Sequence, residues 1–220
     1  MLNSLIEIQD KIVQALQETA LMVGISLVVA VILGGLLGLI LFVSNETLFN
    51  KNRWVYQILG VVLNIVRSVP FLILMIFLLP LSVVIVGTKI GSSAVIVPLS
   101  IAAIAFFGRL SEASFSEVSK GVLEAAIASG AKKSHIIVKI LIPEALPSLI
   151  KNITVTAISV LGFSAMAGLV GGGGIGDLAY RYGYQRYEQE VMILCVILLI
   201  ILVQVIQVIG DLLVKAADRR

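Results

Sequence analysis

Ala20 to Val43 carry no charged side chain. At 1.5 Å of rise per residue, such a run wound as a helix crosses a hydrocarbon core of about 30 Å, and it predicts a first transmembrane helix. Composition agrees. Of 220 residues, 59% are hydrophobic and 13% charged, with a mean hydropathy of +1.10, too apolar for an ordinary soluble domain.

Ahead of that span, residues 1–19 set Leu5, Ile8, Ile12 and Leu16 at helical spacing, with Glu7, Asp10, Lys11 and Glu18 between them. This is the pattern of an interfacial amphipathic helix. No cationic start and no small-residue cleavage site accompany it, so a secretory signal is not expected. Gly34 and Gly38 form a Gly-x3-Gly pair that reads as helix packing. A polar turn over 45–53 leads, through Trp54 and Tyr56 at the membrane interface, to a second span at about 58–80. Arg67-Ser68-Val69-Pro70 interrupts it. Pro70 cannot donate to the carbonyl four residues back, so either the span kinks there or the membrane helix begins near Ser68 with Pro70 in its first turn. A charge inside a span is a functional hypothesis by default; the plainer reading is that Arg67 snorkels to the cytoplasmic headgroups. Residues 81–93 predict a short outer connection. Three more spans follow at about 94–107, where Pro98 is expected to widen or bend the helix, 153–170 and 191–209, then a basic tail over 211–220. No internal repeat is found, and 1–220 reads as a single membrane domain.

Between the third and fourth spans, 108–151 form a polar island. From Arg109 to Lys151 it carries six cationic and four acidic residues. Within it Ala125, Ala126, Ala128 and Gly130 lie within about two helical turns, and side chains that small let another backbone or a groove wall approach closely. Glu124, placed at the front of a short helix, suits the positive end of its dipole. Pro143 and Pro147 separate the segment from the next span. By composition alone an alanine-rich solvated linker would read the same way. With the N-terminus outside, the inner segments hold eleven cations: Lys51, Arg53, Arg109, Lys120, Lys132, Lys133, Lys139, Lys151, Lys215, Arg219 and Arg220. Setting Arg67 aside, the outer segments hold four, Lys11, Lys89, Arg181 and Arg186. The positive-inside rule then puts the island and the C-terminus in the cytoplasm.

Several chemistries are disfavoured. A net charge of +3 spread over loops argues for membrane orientation and against nucleic-acid binding. Cys195 is alone in an apolar run and His135 is the only histidine, so no disulfide framework, catalytic triad or histidine-based metal site is expected. Gly171, Gly173 and Gly176 satisfy Gly-x-Gly-x2-Gly, but a membrane helix precedes them where a dinucleotide site needs a strand. Irregular backbone at the outer mouth of a pathway is the better reading. No Gly-x4-Gly-Lys-Ser/Thr phosphate loop occurs, so an ATPase of that kind must be another polypeptide. The spans lack mid-depth carboxylates, which weakens an ion-coupled carrier, although backbone carbonyls can also bind sodium.

The island carries one further pattern. Glu124-Ala125-Ala126, three residues, Gly130, nine residues, Ile140, one residue, then Ile142-Pro143 resembles the signature loop of permease subunits in ATP-binding-cassette (ABC) importers. Ile142 stands where that pattern has Leu, a swap that keeps bulk and apolarity. Arg67-Ser68-Val69-Pro70-Phe71, residues 140–150, and 162–187 with Ser164-Ala165-Met166 before the glycine run extend the likeness to the methionine permeases of bacterial ABC importers. The resemblance implies an all-α membrane protein of the type I importer fold, with five transmembrane helices and a cytoplasmic coupling helix. It also implies an inner-membrane homodimer and two cytoplasmic ATPase subunits holding ATP and magnesium, with no cofactor on this chain and no catalytic residue of its own. An extracytoplasmic binding protein would deliver the solute. Glu124, Ala125, Ala126, Gly130, Ile140 and Pro143 would then couple the chain to the ATPase. Ser164 and Met166 are candidates for lining the pathway, since Met is flexible and polarizable, against plain packing. A permease for another small solute, or a channel or carrier working without ATP, are the alternatives. Labelling of single cysteines in intact cells is expected to leave positions 124–130 protected from an impermeant reagent until the inner face is exposed.

Overall fold

The computed structural model describes residues 2–49 and 51–218, with the side chains of residues 2–8 left out; Arg219 and Arg220 of the basic tail, and the side chains of Leu5, Glu7 and Ile8, therefore lie outside the described residues. Among the described residues there is no strand. Helix α1 (Leu2–Val29) passes through a π-turn, Ala30–Gly34, into α2 (Gly35–Asn45). The segment expected as a separate interfacial helix is instead the leading part of this rod. No glycine or proline breaks it before Gly24, and its Ile12, Ala15 and Leu16 are covered by Ile175, Leu178, Val191 and Cys195 from the far end of the chain.

Helix α3 (Arg53–Ser68) starts at Asn52, whose side chain accepts from the Val55 N–H at 3.2 Å. It ends at Val69, which is extended as a residue before proline prefers. Pro70 then caps α4 (Phe71–Val86), and the two axes meet at 109°. The second of the two expectations is thus the nearer: a new helix starts at the proline. It runs on through Pro80 to Val86, so the outer connection is only Gly87–Gly91, with Gly87 left-handed at φ 79°. Helix α5 (Ser92–Ser116) is longer than the expected third span at both ends.

After α5 come α6 (Lys120–Ala128), α7 (Lys133–Ile136), a π-turn at Ile137–Leu141 and α8 (Ile142–Ala167). The expected loop 108–151 is therefore mostly helical. A short α9 (Gly174–Leu178), a π-turn at Ala179–Tyr184 and α10 (Gln189–Ala217) complete the chain, and Asp211–Ala217 are the last turns of α10 where a tail was expected. Among the described residues four rods, Gln9–Asn45, Ser92–Ser116, Lys133–Val170 and Gln189–Ala217, are long and apolar enough to cross a membrane, and the bent pair α3–α4 passes the same test only when its two arms are taken together, as one broken span or a re-entrant loop.

Helix α5 is the hub. It packs against α1, α2, α3, α4 and α8, and its buried positions include Ala94, Ser100, Ala102, Ala103, Ala105, Gly108, Ser111 and Ser114. Lipid tails are as apolar as leucine, so helices in a bilayer associate through close packing, which small residues allow. The Gly-x3-Gly pair sits on this crossing: a Cβ on Gly38 would stand 2.6 Å from the Gly108 carbonyl oxygen, and one on Gly34 2.9 Å from that of Ile104. By contrast α10 buries only Val191, Cys195 and Gly210 and turns the rest of its aliphatic surface outward. Replacing Gly38 with valine is expected to destabilise the fold by about 1–3 kcal/mol through overpacking, read as a lower melting temperature in detergent, whereas valine at Gly24, where a Cβ meets nothing within 4 Å, should change it far less.

Candidate coupling site and outer mouth

Helix α6 begins without a side-chain cap at Ser119 and has no acidic residue in its first turn. Glu124 lies past that turn and is exposed, so the expected dipole contact is not made. The helix ends in a Schellman turn. Ala131 N–H donates to Ala126 C=O at 3.2 Å and Gly130 N–H to Ile127 C=O at 2.9 Å, with Gly130 at φ 78°. Gly130 is required there for its backbone: a Cβ would meet no atom within 4 Å but would sit on a left-handed residue.

The signature residues divide by face. Ala126 is buried, and with Leu123 at 1% exposure it anchors α6 onto a cluster including Phe42, Phe49, Phe115, Ile136 and Leu141. The rings of Phe42 and Phe49, and of Phe42 and Phe115, lie 6.1 Å apart. Glu124, Ala125 and Ala128 point outward with Val122 and Ile127, giving an exposed face that is apolar and low in relief around one carboxylate. Ile140 is half-buried against the same cluster, and Pro143, in the first turn of α8, is exposed on the wall of an open cleft of ≈ 670 Å³ shared with Ser119, Glu144 and Ala217.

Two features hold this platform that sequence reasoning missed. Glu46, just past α2, pairs with Lys120 at 3.5 Å. Burial alone would raise the Glu46 pKa, but the Lys120 charge and the Thr47 hydroxyl and N–H outweigh it and hold the carboxyl below its usual range. Deeper in, Asn152 Nδ2 donates to Ser114 Oγ at 2.7 Å and to the Leu110 carbonyl at 3.2 Å, and Ser148 Oγ lies 3.1 Å from Ser114 Oγ, clasping α5 to α8. A polar residue near the facing ends of two neighbouring helices, Ser114 on α5 and Asn152 on α8, was the available signal.

Ser164 and Met166 are not brought to one surface. Ser164 is 2% exposed and donates to its own helix at Leu161 C=O, 2.8 Å away. Met166 is 48% exposed and continues a stripe along α8 with Val155, Gly162 and Leu169 and the half-buried Ser159.

At the opposite end the glycine run is pinned. Glu18 Oε2 accepts from Gly174 N–H at 2.7 Å and Thr19 Oγ1 from Ile175 N–H at 2.9 Å, so α1 caps α9 from outside. A Cβ on Gly168 or Gly176 would collide with backbone, of Asp177 and Ala165 respectively. Asp177 pairs with Arg181, whose pKa it raises through a hydrogen bond. The irregular backbone expected here is packed on one side against α1 and α8, while Gly171, Gly173 and Gly174 line an open cleft of ≈ 410 Å³ with Glu18 and Asp177.

The comparisons with known proteins agree with this geometry. The family of binding-protein-dependent transport system inner membrane components matches residues 30–220. A probable D-methionine transport system permease protein of Vibrio cholerae is 47% identical over 96% of this chain and 94% of its own length. A methionine import system permease protein of Bacillus subtilis is 45% identical over 82% of each. Among solved structures, a chain of the MetNI methionine ABC transporter in an inward-facing conformation superposes with a TM-score of 0.92 at 40% identity, covering 94% of this chain and 96% of that one.

At neutral pH the Glu46–Lys120 pair contributes less than about 1 kcal/mol, since its lysine end is exposed. Because the Glu46 pKa is depressed in the fold, that contribution is complete above the ordinary glutamate pKa and is lost as pH falls through the folded value. Lys120→Met is expected to lower the melting temperature slightly at pH 7 and to match the unmodified protein under acid conditions where Glu46 is protonated.

Proposed function

The chain belongs to the family of binding-protein-dependent transport system inner membrane components and is the permease of an ABC importer, and from that premise we propose that the solute it admits is methionine. Two copies form the pathway, two cytoplasmic ATPase subunits bind ATP and magnesium, and an extracytoplasmic binding protein delivers the amino acid. The N-terminus lies outside and the C-terminus in the cytoplasm, the orientation favoured by the loop cations. Methionine is the solute in the names of the Vibrio cholerae and Bacillus subtilis relatives, and identity of 47% over nearly the whole chain is what supports carrying it over.

The observation that carries the coupling role is the division of α6 into an anchored side, Leu123 and Ala126, and a bare side, Ala125 and Ala128 around Glu124. Small side chains let a groove on the ATPase close over the helix, and the buried anchors make α6 move with the platform beneath it. Ile140 and Pro143 fix the return into α8. Through Ser114 and Asn152, displacement of α6 reaches α5 and α8 together, so ATP-driven closure of the ATPase pair swings rigid helices between two arrangements. The stripe of α8 bearing Gly162 and Met166 is the surface on which the second copy and the pathway meet. A single chain of five spans encloses too little cross-section for a solute, and small residues there permit close approach. Ser164 supports that stripe from behind by bonding within α8.

Reconstitution with its ATPase and binding protein should give ATP-dependent methionine uptake; a complex that imports another amino acid and ignores methionine refutes the substrate. Glu124→Trp or Gly130→Val is expected to lower uptake per ATP hydrolysed by about five- to a hundredfold, the range of a typical coupling free energy, while the protein still inserts. Unchanged coupling in both variants would remove α6 from the docking role.

A further inference from the structure

Arg67 lies in the last turn of α3, just before the break at Pro70 where the chain turns by 109°. Its guanidinium carbon lies 6.0 Å from the centre of the Phe106 ring, so the break sets this cation against the side of α5 (Ser92–Ser116).

Arg67 is exposed, and among the described residues no carboxylate meets it. Arg109, by contrast, pairs with Glu112 at 2.7 Å and donates to the Gly60 carbonyl at 2.8 Å. A charged side chain within a membrane-spanning segment does not face hydrocarbon; it faces a water-filled path or a partner of opposite charge. Arg67 lines a cleft of ≈ 320 Å³ with Phe71, Phe106 and Phe163, near the lower end of the size range of small-molecule sites. The rings of Phe71 and Phe163 stack at 4.7 Å, and Phe163 lies one turn from the exposed Met166, so the cleft opens beside the α8 stripe. One cation with several free donors beside an apolar aromatic wall matches a zwitterion with an apolar side chain.

We propose that Arg67 is the counter-ion for the carboxylate of the amino acid in transit, and that Phe71, Phe106 and Phe163 receive its side chain. The assignment rests on the importer reading and adds to it a site within the membrane. The guanidinium donates two N–H groups to the carboxylate in a bidentate, charge-assisted pair, and the loose contact with Phe106 leaves those donors available.

The test is equilibrium binding of radiolabelled methionine to the permease–ATPase complex in nanodiscs without binding protein, with methioninol, which lacks the carboxylate, measured alongside. The unmodified complex should prefer methionine over methioninol by about ten- to a hundredfold, as expected for a hydrogen bond to a charged group. Arg67→Gln should bring that preference close to one, and Arg67→Lys should restore part of it. A purely structural loss would weaken both ligands alike and leave the ratio intact. An unchanged ratio in Arg67→Gln, or no methionine binding by a complex that does import methionine, overturns the site while the importer reading stands. Failure of the unmodified complex to import methionine with its binding protein overturns both.

Discussion

Everything in this molecule is arranged around how closely other backbones can approach α5. In a bilayer the segregation of apolar side chains from solvent supplies no force between helices, so cohesion comes from van der Waals contact and a few hydrogen bonds. Glycine, alanine and serine on α5 meet glycines on the first rod, and the separation at Gly38 leaves no room for a methyl group. This hub lets one helix touch five others. It also explains why the larger aliphatic residues of α10 are left to meet lipid.

In the proposed coupling role, rigidity at the hub is what lets the platform under α6 act mechanically. Helix α6 is too short to be stable alone; it exists because Leu123 and Ala126 are held by an aromatic cluster drawn from the ends of α2 and α5 and the loop beyond α2. A force applied to its outer face has no soft element to be absorbed in. On that proposal it would pass into α5 and α8 through packed side chains and the Asn152–Ser114 bond, the kind of contiguous network through which distant sites couple.

The sequence was most informative where one physical rule acts alone. An uncharged run of span length, the cation asymmetry of the loops and the Glu-Ala-Ala pattern led to a helical membrane permease before any coordinates. Boundaries were less legible because they depend on tertiary partners: residues 2–19 carry an amphipathic pattern that suits an interfacial helix equally well, and only the burial of Ala15 and Thr19 beneath α9 and α10 distinguishes the two. Arg67 shows the same limit. Its neighbours indicated a break at Pro70, but the contact with Phe106 follows from a 109° turn that no local pattern encodes. At Glu124, the helix start at Lys120 rather than at the glutamate removes the dipole contact. The signature loop was read as a unit, and its division into anchors and contact face needed burial to be seen.

The cap that Glu18 and Thr19 place on α9 has a consequence for how this end of the bundle can open. Both acceptors belong to the first rod and both donors to the start of α9, so parting the two would break two hydrogen bonds at once, one of them to a carboxylate. The glycine segment is therefore not a flap that lifts by itself. It travels as cargo on the first rod, and the two shift together when that rod tilts.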